Sequence, residues 1–139
     1  MIDERDIMRL LEQANMAREN AYAPYSKYRV GAALLAKDGE VFFGCNVENA
    51  SYGATNCAER TALFSAVANG IRDFQAIAVV GGMGDVLDEA ILPCGICCQA
   101  LSEFCSKEFP IILTHKDSYR VITLGDLFPN AFSSQNLIV

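Results

Sequence analysis

Two short stretches, far apart in the chain, each place cysteine where a helix is predicted to begin. Cys57 stands in the first stretch, and Cys94 and Cys97 lie three residues apart in the second, behind Pro93, which suits the first turn of a helix. A spacing of three puts both sulfurs on one helix face, and the positive end of the helix dipole favours thiolates. Three thiolates can hold a zinc ion whose fourth tetrahedral position stays open, as in catalytic sites. The fold must therefore bring two helix starts together.

Glu59 follows Cys57 by two residues, which places a carboxylate beside the metal site without adding it to the ligands. Zinc lowers the pKa of a bound water to about 7, so a neighbouring carboxylate can take up a proton from that water. The alternative interpretation is an ordinary glutamate in the first turn of a helix, where a negative charge complements the dipole. The spacing to Cys57 favours the chemical role.

The cysteines also have two structural interpretations. They could be buried free thiols, because cysteine is among the most buried residue types. They could instead form a closed site of four cysteines, with the fourth ligand supplied by Cys45, Cys98 or Cys105. Cys98 is rotated by about 100° around the helix from Cys97, so it points away when Cys97 faces the metal. We expect Cys45 and Cys105 to be core thiols.

Length and composition predict one domain over residues 1–139, because a chain of 139 residues that is 52% hydrophobic can form a substantial core. The chain carries 11 Lys and Arg against 17 Asp and Glu, a net charge of −6. This balance opposes binding to nucleic acid, which depends on clustered Lys and Arg, and favours a small uncharged ligand. The charged N-terminus lacks the apolar core of a signal peptide, and no apolar run approaches the roughly 20 residues of a membrane span. We therefore expect a cytoplasmic protein with reduced thiols and no membrane partner.

Hydrophobic periodicity and turn residues predict helices that alternate with strands. The Asp38-Gly39 pair is typical of a tight hairpin turn. Helices are predicted over residues 3–21, 56–69, 93–107 and 124–127, and strands over 30–36, 41–45, 74–80, 110–114 and 119–122. This order predicts an α/β domain in which helices cover both sides of a mixed, mostly buried sheet, with the two cysteine-bearing helix starts at one edge of it.

Several blocks of sequence, in this order, resemble the zinc-dependent cytidine deaminases. They span nearly the whole chain: residues 25–33, residues 44–52, Cys57-Ala58-Glu59, Pro93-Cys94-Gly95-Ile96-Cys97 and the tail Ala131-Phe132-Ser133-Ser134. The resemblance implies a three-layer α/β/α sandwich with a mixed five-stranded sheet and one zinc per chain. It also implies the hydrolytic deamination of cytidine and deoxycytidine to uridine and deoxyuridine with release of ammonia, a step of pyrimidine salvage.

The resemblance assigns roles at the metal. It implies that Cys57, Cys94 and Cys97 are the zinc ligands and that Glu59 shuttles protons while hydroxide attacks the ring carbon that bears the amine. Similar deaminases with three cysteines have an arginine at the position of Arg60, close to the ligand sulfurs. Because three thiolates leave a divalent zinc with one net negative charge, such a donor withdraws charge from sulfur. The alternative for Arg60 is a solvated charge on the helix surface.

The resemblance also assigns substrate-binding residues. Asn46 and Glu48 would bind the ribose hydroxyls, although a strand-end turn is the alternative. Tyr28 matches an aromatic that stacks on the pyrimidine, where phenylalanine is more usual, and its alternative is a core aromatic. Within the matching blocks, Tyr52 and Ala58 are also expected to contact substrate. Phe132 matches a tail aromatic that reaches the active site of a neighbouring subunit, which implies a homotetramer with shared sites.

One position departs from the family's usual Pro-Cys-Gly-x-Cys-Arg-Gln: Cys98 stands where arginine is common, before Gln99. A positive charge beside the site is lost. Two other functions stay open at this point. One is deamination of a different aminopyrimidine nucleoside or nucleoside antibiotic, and the other is a zinc-stabilised binding or scaffold protein without the chemistry.

Overall fold

The computed structural model describes residues 2–137, and one five-stranded sheet forms its centre. The strands are β1 (Arg29–Ala36), β2 (Val41–Cys45), β3 (Phe74–Gly82), β4 (Pro110–His115) and β5 (Ser118–Thr123), in the spatial order β2-β1-β3-β4-β5. Both β2 and β3 pair antiparallel to β1, so they run in the same direction, and β4 is parallel to β3. The carboxyl ends of β2, β3 and β4 therefore meet at one edge of the sheet.

Helices cover both faces of this sheet, as predicted. They are α1 (Glu4–Arg18), α2 (Ala58–Ala68), α3 (Gly95–Ser102) and the short α4 (Leu124–Leu127), with two single turns of 3-10 helix at Tyr52–Ala54 and Ser134–Asn136. One core cluster joins the sheet to α2 and α3, and a second joins its other face to α1. The predicted α/β class and the mixed five-stranded sheet are confirmed.

Burial on both faces explains the sequence of β1. Leu34 packs in the cluster under α2 and α3, whereas Leu35 packs in the cluster under α1. A strand covered on both sides reads as a continuous apolar run and not as an alternating one. The hairpin to β2 turns at Asp38-Gly39, as predicted, and Gly39 has a φ of 94°, which a residue with a Cβ rarely adopts.

Two glycines let helices approach the sheet closely. A Cβ on Gly44 would lie 2.2 Å from the carbonyl oxygen of Ala58, and a Cβ on Gly31 would lie 2.0 Å from that of Ala14. Neither position has room for a side chain, since real Cβ atoms do not come that close. Gly44 thus allows the first turn of α2 to pack directly against β2, and this contact fixes the position of Cys57 relative to the sheet.

The element boundaries differ from prediction at a few points. Cys94 is the N-cap of α3 and the helix begins at Gly95, so Pro93 precedes the helix and does not occupy its first turn. The same helix ends at Ser102, five residues before the predicted end, because the backbone N–H groups of Phe104 and Cys105 turn back to Leu101. α1 ends at Arg18, before the predicted end at residue 21, and the N–H groups of residues 19–21 form turn hydrogen bonds to carbonyls three residues back.

The sequence predicted β3 and β5 to be shorter than they are: β3 extends to Gly82, and β5 runs from Ser118 to Thr123. Gly81 and Gly82 continue the β3 ladder opposite Val30 and Arg29, although glycine is a poor strand former. Pairing along the whole length of β1 overrides that preference. Within residues 2–137, none of the helices is long and apolar enough to cross a membrane.

Candidate active site

Three sulfurs from two helix starts converge at the carboxyl edge of the sheet. Cys57 is the N-cap of α2, Cys94 is the N-cap of α3, and Cys97 lies in the first turn of α3. All three Sγ atoms lie within 4.8 Å of one another, and those of Cys57 and Cys94 are 3.8 Å apart. The cysteines that the sequence analysis grouped as ligands are therefore brought together.

The chain before α2 is fixed by a short ladder outside the sheet. The backbone groups of Val47 and Asn56 exchange two hydrogen bonds of 2.9 Å, and Tyr22 pairs with Val47 from the other side. The residue before Cys57 is thus tied to the chain that leaves β2. This local pairing, together with the close approach at Gly44, positions Cys57 for the cysteines of α3.

Arg60 contacts two of the sulfurs. Its Nε lies 3.4 Å from Cys97 Sγ and one of its terminal nitrogens lies 3.4 Å from Cys57 Sγ. Although partial burial opposes the charge of Arg60, its hydrogen bonds to Cys57 and Cys97 raise its pKa above the ordinary value. Arg60 is therefore not the solvated surface charge of the alternative interpretation.

The surroundings of Cys57 favour its thiolate form. An interaction with the Cys97 thiol, opposed by burial and assisted by Arg60, lowers the pKa of Cys57 to about 5. The same interaction, together with burial, raises the pKa of Cys97, which donates within the pair. The site thus holds one negative charge readily, and it needs a cation to hold more.

A zinc ion fits this donor set. Two sulfurs bound at about 2.3 Å to one tetrahedral zinc stand about 3.8 Å apart, which is the separation found between Cys57 and Cys94. Thiolate sulfur is a preferred ligand of zinc, and three protein ligands leave a position for a reactant. Cys57, Cys94 and Cys97 would hold the ion, and Arg60 would neutralise part of the thiolate charge.

The other cysteines do not join the cluster among residues 2–137. Cys98 is buried, with its Sγ 3.8 Å from the carbonyl oxygen of Pro93. Cys45 and Cys105 are half-buried, so they are less buried than the core thiols that the sequence predicted. The closed site of four cysteines receives no support from this arrangement.

Glu59 is a buried carboxyl at the bottom of a small cavity beside the sulfurs. Its exposed fraction is 4%. Burial raises the pKa of Glu59 to about 7, and the neighbouring Cys57 acts in the same direction, while its own backbone N–H and Arg60 act against it. The cavity of about 170 Å³ is lined by Val30, Asn46, Thr55, Asn56, Cys57, Ala58, Glu59, Ile91, Leu92 and Cys94. A carboxyl with this pKa can both accept and donate a proton near neutral pH.

Asn46 and Glu48 border two adjacent cavities. Asn46 lines the cavity of Glu59, where its Nδ2 donates to the carbonyl of Tyr28 and its Oδ1 accepts from the N–H of Val30, both at 2.8 Å. Glu48 lines a second cavity of about 370 Å³, and Thr55 belongs to both. The two polar side chains therefore stand at neighbouring parts of one larger surface depression.

The carboxylate of Glu48 is anchored by the loop before β1. It accepts hydrogen bonds from the N–H groups of Tyr25 and Ser26, at 3.0 and 3.1 Å, and from the Ser26 hydroxyl. The hydrogen bond from the Ser26 hydroxyl is the main cause that lowers the pKa of Glu48 below its ordinary value. Glu48 is thus ionised and oriented before any ligand binds.

The aromatic residues are placed differently from one another. Tyr28 lies outside the lining of the Glu59 cavity: its ring packs on Gly81, and its hydroxyl donates to Asp88. Tyr52 lines the second cavity, is 79% exposed, and packs edge to face on Tyr25 at 6.5 Å. Phe132 is 58% exposed and lines neither cavity.

Five further residues of the Glu59 cavity were not identified as site residues from the sequence: Val30, Thr55, Asn56, Ile91 and Leu92. Thr55 lies in a polar stretch where many residues have the same character. Ile91 and Leu92 are an ordinary apolar pair in the sequence, and the one signal that could have identified them is their position directly before Pro93 and Cys94.

Comparisons with known proteins agree with this geometry. A family model described as the cytidine and deoxycytidylate deaminase zinc-binding region matches residues 4–113. The chain is 47% identical over 133 residues to the cytidine deaminase of Sporosarcina psychrophila, with 95% of each chain covered. It is 36% identical over 108 residues to the blasticidin-S deaminase of Bacillus cereus, with 73% of this chain and 77% of that one covered.

The solved structures show the same likeness. The crystal structure of cytidine deaminase from Burkholderia pseudomallei matches with a TM-score of 0.82 at 54% identity, covering 90% of this chain and 98% of that chain. The cytidine deaminase from Mycobacterium tuberculosis matches with a TM-score of 0.78 at 41% identity, covering 91% and 97%. With its buried glutamate and three converging sulfurs, this chain belongs to the zinc-binding family of cytidine and deoxycytidylate deaminases.

Proposed function

We propose that this chain hydrolyses cytidine and deoxycytidine to uridine and deoxyuridine, with release of ammonia, as a step of pyrimidine salvage. The observation that carries the proposal is the buried carboxyl of Glu59 in one cavity with Cys57 and Cys94. The cytidine deaminases matched at 47% identity and 95% coverage support this substrate class.

Glu59 is the proposed proton carrier of the reaction. Zinc, when held by Cys57, Cys94 and Cys97, would supply Lewis-acid chemistry that activates water. Hydrolysis places the oxygen of that water on the ring carbon and breaks the bond from this carbon to the amine. Glu59 would carry both protons that the water loses: the first to the ring nitrogen, where it stays in the product, and the second, from the hydroxyl formed on the ring carbon, to the departing amine, so that ammonia leaves neutral. Its burial excludes competing water from this transfer.

Arg60 is proposed to tune the sulfurs. Its two hydrogen bonds of 3.4 Å to Cys57 and Cys97 draw charge from the thiolates. A ligand set that carries less charge leaves the metal a better electron acceptor. Among residues 2–137, Arg60 is the arginine that hydrogen-bonds to the cluster, while Cys98 stands where the family commonly has a second arginine.

Glu48 is proposed to select the sugar. A carboxylate offers about four acceptor positions, and three of those of Glu48 are taken by Tyr25 and Ser26. The remaining position can accept a ribose hydroxyl, and a free base without a sugar would leave it unpaired. Asn46, already fixed by Val30 and by the carbonyl of Tyr28, would contribute a second contact from the cavity wall.

Ala58, Tyr52, Tyr28 and Phe132 complete the proposed substrate contacts. Ala58 lines the cavity beside Glu59, and Tyr52 lines the neighbouring one. Tyr28 would present its ring from the edge of the site. Phe132 is largely exposed in one chain, which supports a contact with a neighbouring subunit.

The assembly is also part of the proposal. We expect a single domain over residues 1–139 that forms a homotetramer with shared sites. Exposed apolar side chains on the outer surfaces of the sheet and helices, such as Phe43 and Phe64, support an assembly that covers them.

The compartment and the size of the substrate are proposed from composition. All six cysteines are free thiols, which fits a reducing, cytoplasmic compartment. The net charge of −6 supports use of a free nucleoside and not of nucleic acid.

A second candidate is a nucleoside antibiotic, because the chain also resembles a blasticidin-S deaminase at 36% identity. The similarity to cytidine deaminases is higher and covers more of the chain. Parallel assays on cytidine and blasticidin S separate the two.

The deciding experiment uses the purified full chain. We expect about one zinc per chain by metal analysis and loss of the cytidine absorbance with one ammonia released for each nucleoside consumed. A zinc-loaded protein that is inert on cytidine and deoxycytidine would overturn the proposal and leave a zinc-stabilised binding protein. Salt-sensitive, micromolar binding of single-stranded DNA or RNA would contradict the nucleoside-only part.

A further inference from the structure

A hydrogen bond between residues far apart in sequence joins the two sides of the candidate site. The hydroxyl of Tyr28 donates to Oδ2 of Asp88 across 2.7 Å, although the two residues are 60 positions apart. Tyr28 directly precedes β1, whereas Asp88 lies between β3 and α3. We call residues 83–92 the bridging segment, because they connect β3 to the cysteines of α3. The bridging segment carries Ile91 and Leu92 into the wall of the Glu59 cavity.

Asp88 fixes the bridging segment to the sheet. Its backbone N–H donates to the carbonyl of Gly81 at 2.7 Å, and its own carbonyl accepts from the hydroxyl of Thr114 at 2.8 Å. Two residues further, the N–H of Ala90 donates to the carbonyl of Thr114 at 2.8 Å. Ala90 has a φ of 51°, a left-handed conformation that is unfavourable for a residue with a Cβ. These contacts surround Ala90 and restrain the backbone in this shape just before Ile91.

Tyr28 is held equally firmly at its own end. Its carbonyl accepts from Asn46 at 2.8 Å, its N–H donates to the Ser26 hydroxyl at 3.0 Å, and its ring lies against Gly81. Burial, with the hydrogen bond to Asp88, raises the pKa of Tyr28 to about 12. The phenol therefore keeps its proton and stays a donor over the whole neutral range.

The start of the bridging segment has a separate anchor. The buried Arg18 donates to the carbonyl of Gly82 at 2.7 Å, to that of Arg29 at 3.0 Å and to that of Gly84. These contacts do not involve the Tyr28 hydroxyl. Loss of that hydroxyl should therefore leave the first residues of the segment in place and loosen residues 88–92, where the contacts of Asp88 and Ala90 with Gly81 and Thr114 would remain without the side-chain tie.

We infer that Asp88 is a positioning residue for nucleoside binding: through the hydroxyl of Tyr28 it holds Ile91 and Leu92 in place as a wall of the cavity. The inference rests on the proposed function for its ligand. Neither Tyr28 nor Asp88 touches Cys57 or Glu59 in this link, so its loss should weaken substrate binding and leave the chemical step largely intact.

The first test needs no activity. Hydrogen exchange of the zinc-loaded full chain is compared between wild type, Tyr28→Phe and Tyr119→Phe. Tyr119 is a matched control, because its hydroxyl has no hydrogen-bond partner among residues 2–137. Tyr28→Phe should speed exchange of residues 88–92 roughly fivefold to tenfold, with α3 unchanged. Unchanged exchange in Tyr28→Phe, or an equal change in Tyr119→Phe, overturns the inference.

The second test measures cytidine kinetics. Asp88→Ala should raise KM roughly threefold to tenfold, with kcat within about twofold and zinc content unchanged, and Tyr28→Phe, which keeps the ring proposed to contact substrate, should raise KM by a similar factor. Asp88→Asn, which keeps an acceptor oxygen, should fall between wild type and Asp88→Ala. The double variant Tyr28→Phe/Asp88→Ala should be no worse than the worse single variant, since both remove one hydrogen bond. Additive losses overturn the inference.

The two tests separate this inference from the proposed function. A wild-type protein that is inactive on nucleosides removes the proposed function, while the exchange data still decide whether the Tyr28 hydroxyl holds the bridging segment. If Asp88→Ala does not fold, Tyr28→Phe alone gives the decision, because it keeps the ring that packs on Gly81.

Discussion

Arg60 donates from its Nε to the Sγ of Cys97 across 3.4 Å, which links the first turn of α2 to the first turn of α3. The same guanidinium reaches Cys57, so one side chain touches a ligand sulfur from each helix. Such a contact compensates thiolate charge and also restrains the two helix starts relative to each other.

Arg60→Gln should weaken zinc binding by about tenfold to a hundredfold, because it removes both hydrogen bonds to sulfur. Competition with a chromogenic chelator measures the affinity. Arg9→Gln is the matched control, since Arg9 is an exposed arginine of α1 whose ion pair with Asp6 lies far from the cysteines in the sequence. Equal zinc affinity in Arg60→Gln and wild type would show that the contact has no such role.

Glu59→Gln should fold and bind zinc as the wild type does, because the amide has the same shape as the carboxyl. Its turnover should fall by about two to four orders of magnitude, since a glutamine cannot carry a proton. Metal analysis and steady-state assays on the same preparation give both quantities. A variant that retains most of the activity would remove Glu59 from the mechanism.

Gly44→Ala should destabilise the fold and reduce the zinc content of the folded protein. The added methyl would meet the carbonyl of Ala58 at 2.2 Å and push the start of α2, with Cys57, away from β2. Gly31→Ala is the matched control, because it creates a similar clash under α1, on the other face of the sheet. Both should lose about 1–3 kcal/mol of unfolding free energy.

Urea unfolding gives the stability of these two glycine variants, and metal analysis gives the zinc per folded chain. Zinc loss should be confined to Gly44→Ala. Equal zinc content in both variants would mean that the approach at Gly44 does not set the position of Cys57.

The loop before β1 should loosen in acid through Glu48. Hydrogen bonds from Ser26 hold the pKa of Glu48 in the folded protein below its ordinary value of 4.5. A lowered folded pKa means that the stabilisation is complete above the unfolded value and is lost as pH falls through the folded one. Hydrogen exchange of residues 25–28, corrected for its intrinsic pH dependence, should be constant above about pH 5 and rise below it. Glu48→Gln should lack this acid response.

Removal of the tail before Ala131 should raise the KM for cytidine more than it lowers the zinc content. The side chain of Gln99 in α3 donates to the carbonyl of Phe132 at 2.8 Å, so the tail is held beside the helix that bears Cys97. Phe132→Ala tests the ring alone. Sedimentation checks the assembly, and a fully active monomer at micromolar concentration would end the shared-site proposal.

Local signals explain what the sequence could predict. The Asp38-Gly39 turn, the apolar runs of β1 and β3 and the cysteines at helix starts each depend on near neighbours, and all of them appear in the structure. Cys57 could be grouped with Cys94 although they are far apart in the sequence, because three cysteines form a preferred ligand set for zinc.

Long-range contacts explain what the sequence could not predict. The sequence around Tyr28 carries no signal of its hydrogen bond to Asp88, because the two residues are 60 positions apart. Ile91 and Leu92 resemble any apolar pair, and their place in the cavity follows from how the bridging segment is anchored. Element ends such as that of α3 also depend on tertiary packing that periodicity does not encode.

The placement of the sulfurs on two helix starts has a consequence for the order in which a growing chain matures. Cys57 and Cys94 are 37 positions apart, and the whole of β3 lies between them. A nascent chain that has emerged only through α2 contains just one of the three clustered cysteines, Cys57. Capture of zinc must wait until β3 has joined β1 and α3 has followed it out of the ribosome. Metal uptake would then depend on the addition of β3 to the sheet, and β4 and β5, which follow α3 in the chain, would join afterwards.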